Sequence, residues 1–147
     1  MGASPYFYFV KYQADREKAL QELRQREFQA GRYNPAVSFP DFPIRPSSPS
    51  PGAQHASIED ALEDSDADGT RSILDLDHFS DEPEFCAVTP LSEEVLEELF
   101  GTTKPTHAMI EKNHDFFDDI ERGHGVSIVV YKDGQPDEFF FPGYSFD

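Results

Sequence analysis

The chain contains no tryptophan, one cysteine and only 12 lysines and arginines against 29 acids. A lone Cys86 cannot close an intramolecular disulfide, so nothing points to an oxidising compartment. The shortage of bases leaves a formal net charge of −17 at pH 7. That field repels phosphate backbones and anionic lipid surfaces, which argues against nucleic-acid and membrane partners. Long apolar runs are missing as well. The longest early run, Tyr6 to Val10, is too short for a signal peptide or a membrane span. Tyr6 also stands where a myristoylation signal requires Ser or Thr. Together these absences predict a cytoplasmic protein. No Gly-rich phosphate loop, nucleophile elbow or zinc spacing is present, so an enzymatic reading has no motif to rest on.

What the chain does have is aromatic residues and acids, unevenly placed. Its 147 residues include 14 Phe and 6 Tyr, and the length suits one domain over 1–147. Residues 1–33 hold four acids and six bases, whereas residues 58–147 hold 24 acids and five bases. Between them, at about 34–56, lies a Pro-rich segment expected to be irregular and at the surface. Pro40, Pro43, Pro46 and Pro49 recur every third residue, the period of polyproline II. Pro40 to Arg45 also fits the loose Pro-x-x-Pro-x-Arg pattern read by SH3 domains, although a segment wrapping its own domain is the better account.

Periodicity predicts the elements around that segment. Tyr6 to Tyr12 reads as an aromatic strand, followed by a helix capped by Asp15, ended near Ala30 by Gly31, with Glu22 and Arg26 spaced to pair. A short helix follows the capping box at Ser57. Arg71 to Phe79 reads as a strand with Asp75 and Asp77 on one face, and Phe85 to Val88 as a second short one. Thr89-Pro90 predicts the start of a helix ending at Gly101, and Pro105 starts another that runs to Gly123. Val126 to Lys132 and Glu138 to Phe141 form a hairpin around Asp133-Gly134. The fold class expected is α+β: an antiparallel sheet of about four strands, with three to four helices packed mainly on one face.

Several clusters invite a chemical reading. Asp64-Ser65-Asp66-Ala67-Asp68-Gly69 resembles the first half of a calcium loop, with Thr70 offering a carbonyl and Asp75 at the twelfth position. Calcium through Asp64, Asp66, Asp68, Thr70 and Asp75 is therefore one reading; an acidic solvated turn is the other. His107, Glu111, His114 and Asp118 share one face of a continuous helix, but the second Glu-x-x-His copy of a di-metal bundle is missing. Cys86 lies among apolar neighbours, as a structural thiol does. At the C-terminal end, Phe139, Phe140 and Phe141 must alternate across the sheet, and Tyr144 and Phe146 add two rings. Either the strand is covered on both sides or an aromatic patch is exposed beside acidic surface.

The motifs identify no family. In character the chain resembles small acidic proteins that neutralise a basic protein partner, such as the immunity proteins of bacterial toxin systems. Residues 58–98 carry fifteen acids and one base, a density that self-repulsion makes costly without a return in binding. The expectation is a binding or inhibitor protein that meets a basic protein through an acidic face, using Glu93, Glu94 and Glu97 with Tyr144 and Phe146. A calcium-binding module is the alternative, and an enzyme without a recognisable motif the second.

Overall fold

The computed structural model describes residues 4–37, 42, 44, 45 and 47–146. Five strands form one mixed sheet in the order β1-β5-β4-β3-β2. Their ranges are β1 Pro5–Lys11, β2 His78–Phe79, β3 Ala87–Pro90, β4 Gly125–Lys132 and β5 Gln135–Tyr144. The four helices are α1 Arg16–Ala30, α2 Ile58–Ser65, α3 Glu93–Phe100 and α4 His107–Lys112. β1, β5 and β4 pair antiparallel, while β3 runs parallel to both β4 and β2. The expected antiparallel sheet of four strands is thus corrected to five strands of mixed direction. The segment between β3 and β4 includes α3 and α4, and such a crossover lets two strands run parallel.

The helices also occupy both faces rather than mainly one. On the first face, Leu20 and Leu23 of α1 pack with Tyr6, Tyr8, Leu76, Val88, Phe139 and Phe141. On the second, Leu96 of α3, Ile110 of α4 and Phe116 pack with Val126, Ile128, Val130 and Phe140. The three consecutive phenylalanines of β5 are the visible cause. Phe139, Phe140 and Phe141 are 4%, 1% and 0% exposed, and alternation sends the middle ring to the opposite face from its neighbours. Burying each is worth roughly 1.5–3 kcal/mol, so both faces of this interior strand need cover.

α1 forms as its ends dictate. Asp15 Oδ1 accepts from the Lys18 amide at 3.1 Å, and Gly31 closes the helix at φ 74°. The spacing of Glu22 and Arg26 does not produce their pair: Gln13 donates to Glu22 at 2.6 Å and Arg26 donates to Glu27 at 3.0 Å. Arg32 grips the same Glu27 with two nitrogens, at 2.8 and 2.6 Å.

Three other expectations change for local reasons. Arg71 to Phe79 is not one strand. Ser72 caps a 3-10 turn over Ile73–Asp75, and only His78–Phe79 pairs. Thr89-Pro90 ends β3, and Ser92 caps α3 by accepting from Val95. The helix after Pro105 stops at Lys112 because Asn113 turns extended: its side chain donates to the Leu99 carbonyl at 2.8 Å and accepts from the Asp115 amide at 2.9 Å. A separate 3-10 stretch follows over Asp115–Asp119. The polyproline expectation over Pro40 to Pro49 and the Pro40 to Arg45 motif fall largely outside the described residues. Ile44 is buried in the first-face core, with Phe42 packed against it. Gly52 donates to the Ala30 carbonyl at 2.9 Å.

Candidate partner-binding surface

Of the five calcium-loop residues, Thr70 and Asp75 are bonded to each other. Asp64 lies in the last turn of α2 and meets His55 Nε2 at 2.8 Å. Asp66 and Asp68 are exposed in a 3-10 turn. The Thr70 carbonyl accepts from the Asn34 amide at 2.8 Å. Asp75 is 2% exposed, and its Oδ1 accepts from both the amide and the hydroxyl of Thr70, at 2.9 and 2.8 Å. Among the described residues no group of three or more His, Cys, Asp or Glu converges as a metal site requires.

Burial pushes the Asp75 carboxyl up to about 6, against hydrogen bonds from Thr70 and the Arg71 amide and the charge of Arg24, which favour ionisation. Its second oxygen has no partner among the described residues. Asp77, expected on the same face, is instead exposed and bonded to His78. Cys86 is half-buried with φ 65°. Burial, then Asp77 and Asp75, raise its thiol to about 11, so it stays protonated at neutral pH. His107, Glu111, His114 and Asp118 are split by the break at Asn113. His107 stacks on Phe9 at 3.9 Å and bonds Glu138 at 2.8 Å, while His114 contacts the rings of Phe7, Phe116 and Phe117.

The acidic and aromatic candidates are arranged differently from one another. Glu93, Glu94 and Glu97 are exposed on α3. Tyr144 is half-buried and meets Phe117 edge-on at 5.3 Å, as part of the second-face core. Phe146 is half-buried too, but stacks on Phe85 with centroids 4.9 Å apart and planes 21° apart. Phe85 is 56% exposed. The sequence pattern placed it in a short strand, Phe85 to Val88. The signal that would have corrected this is the preceding Asp81-Glu82-Pro83-Glu84, a charged, proline-bearing run that belongs to a loop.

That loop, residues 80–86, joins the parallel pair β2 and β3 and borders a groove of about 440 Å³. Its apolar lining includes Leu91, Val95, Ile120 and Val126, and its carboxylates are Asp81, Asp119 and Glu121. Among the described residues no lysine or arginine lines it. Arg16 approaches Asp81 from outside at 3.6 Å, but that carboxylate remains 94% exposed. His124 lines the groove and touches Phe85 edge-on at 6.2 Å, which connects groove and stacked rings. Ser92, the cap of α3, forms part of the wall, and Glu93 and Glu94 begin that helix directly after it.

No helix among the described residues is long and apolar enough to cross a membrane. Comparison with protein-family models, curated proteins and solved structures finds no match for this chain, so the chemistry of its own surface is what bears on function.

Proposed function

We propose that this is a binding protein of the cytoplasm that engages a basic protein through the acidic groove between loop 80–86, α3 and residues 119–126. The observation that carries the reading is the groove's composition: an apolar floor, three carboxylates and, among the described residues, no lining lysine or arginine, beside the exposed ring of Phe85. A lysine or arginine side chain has the matching form, an apolar stem with a cationic head. The stacked Phe85 and Phe146 supply the aromatic anchor on which interfaces concentrate their energy, and the surrounding carboxylates steer a cationic partner toward it. The same charges repel phosphate, which favours a protein over a nucleic acid.

A photoreactive phenylalanine analogue in place of Phe85 tests this in living cells. The cross-linked partner is expected to be a basic protein. The cross-link should disappear in the double variant Asp119→Lys, Glu121→Lys while the fold is retained. A neutral or acidic partner, or a cross-link indifferent to charge reversal, overturns the proposal.

A further inference from the structure

β1 lies at the edge of the sheet, and the phase of its ladder with β5 is fixed from both ends. Ser145 donates its amide to the Ser4 carbonyl at 3.0 Å, and Tyr12 donates to the Asp137 carbonyl at 3.0 Å. Antiparallel pairing sends the main-chain groups of alternate residues to the same side. Tyr6, Tyr8 and Val10 therefore bond β5, while Phe7, Phe9 and Lys11 turn their N–H and C=O groups outward. Pro5, which has no N–H, also falls on the outer side, as proline does at an edge. Among the described residues none of these outward amides has a hydrogen-bond partner.

The outer side is a trough rather than open surface. Two adjoining grooves, of about 390 and 340 Å³, run between β1 and α1 and share Arg26. The first has Val10, Ala19 and Leu23 in its lining. Lys11 stands at one end and Arg45 at the other. Neither has a carboxylate partner among the described residues. The carboxylates nearby are engaged, Glu27 by Arg32 and Arg26 and Glu22 by Gln13. In a chain of net charge −17, this edge carries two cations that form no ion pair among the described residues: Glu138, opposite Lys11 in the ladder, is held by His107, and a row of outward backbone groups lies between the two cations.

We infer that β1 is a strand-addition site for an extended peptide of about five residues, with small apolar side chains facing α1 and a carboxylate at each end for Lys11 and Arg45. The span from Phe7 to Lys11 is about 13 Å at the usual rise per strand residue. The backbone supplies the bonding and the two cations choose the sequence. The wider acidic field is screened over about 8 Å at physiological salt, so the local pairs decide. This site is separate from the acidic groove and takes a partner of opposite charge.

The probe is a capped peptide with glutamates flanking a valine–threonine–valine core, compared with its lysine-flanked counterpart. Residue-resolved amide exchange of the whole protein is the readout. In the free protein Tyr6, Tyr8 and Val10 should exchange slowly, and Phe7, Phe9 and Lys11 fast. At millimolar glutamate peptide, exchange at Phe7, Phe9 and Lys11 should slow at least tenfold, and the lysine peptide should leave it unchanged. Lys11→Pro removes an outward donor without touching the β5 ladder. It should abolish the protection at Phe7 and Phe9, while Tyr6, Tyr8 and Val10 stay slow. Arg45→Glu should weaken the glutamate peptide at least tenfold. Absence of alternating protection, or equal protection by both peptides, refutes the inference. So does protection that rises with protein concentration alone, which would give the edge to a second copy of the chain.

Discussion

Asp75 and Thr70 form a closed pair, one carboxylate oxygen receiving both the amide and the hydroxyl of the same residue. The other oxygen lies buried without a partner among the described residues. The ionised form is thus tolerated rather than favoured. A carboxyl raised from 3.8 to about 6 stabilises the fold below its unfolded value and loses that contribution as pH rises through the folded one. Asp75→Asn keeps an acceptor for Thr70 and removes the charge. Relative to this variant, the wild type should lose on the order of 2 kcal/mol between pH 4 and pH 7. Urea titrations of both proteins across that range measure it; parallel curves would show that Asp75 is not the titrating group.

Calcium should leave the melting temperature unchanged at millimolar concentration. Binding through Asp75 would first have to break its bonds to Thr70, and Asp64 is turned toward His55. A ligand of the native state must raise stability. A rise that vanishes in Asp66→Ala would restore the calcium reading of the aspartate turn.

Gly69 has φ 72°, and a Cβ there would lie 2.7 Å from Phe146 Cδ2 and 2.8 Å from Asp75 Oδ2. Gly69→Ala is expected to destabilise by about 2 kcal/mol or more, from backbone conformation and crowding together. It should also displace Phe146 from Phe85, which changes in the Phe85 ring resonances would report. Unchanged resonances would separate the glycine from the aromatic stack.

Glu27 is 1% exposed and holds two arginines. Glu27→Gln leaves both guanidinium groups short of a charge partner. A loss of about 2 kcal/mol is expected, below the range for fully buried pairs because Arg26 is half exposed. A loss under 0.5 kcal/mol would mean that solvent replaces the carboxylate.

Phe85→Ala should be nearly neutral for stability, because the ring is more than half exposed, and should weaken partner binding by about 2 kcal/mol or more. Tyr144→Ala should behave in reverse, lowering stability through its contact with Phe117. Equal effects of the two on binding would argue against the groove as the interface.

How far the sequence could be read depended on how local each cause was. α1 and the β4–β5 hairpin were legible because Asp15, Gly31 and Asp133-Gly134 act within a few residues of themselves. The alternation of Phe139, Phe140 and Phe141 posed the right question about two covered faces and left the answer open. The parallel pairing of β3 was not legible, since the contact joining Val88 to Gly125 is made across two helices. The strand expected over Arg71 to Phe79 failed because Ser72 and Asp75 bond the backbone around them, a competition that hydrophobic alternation does not register. Of the surface in the proposal, the acids of α3 were read from composition alone. Phe85 was missed because its apolar neighbours outweighed the loop chemistry before it.

β5 is an interior strand that comes late in the chain. It is bonded on one side to residues 5–11 and on the other to residues 125–132. During synthesis, β1 and α1 leave the ribosome long before their partner strand exists. Tyr6 and Tyr8 then face solvent or a chaperone until residues 138–144 emerge. The joining of β1 to the sheet is therefore a late event. Its contacts span almost the whole chain, which implies slow folding for this size, and loss of β5 would strand β1 together with its helix.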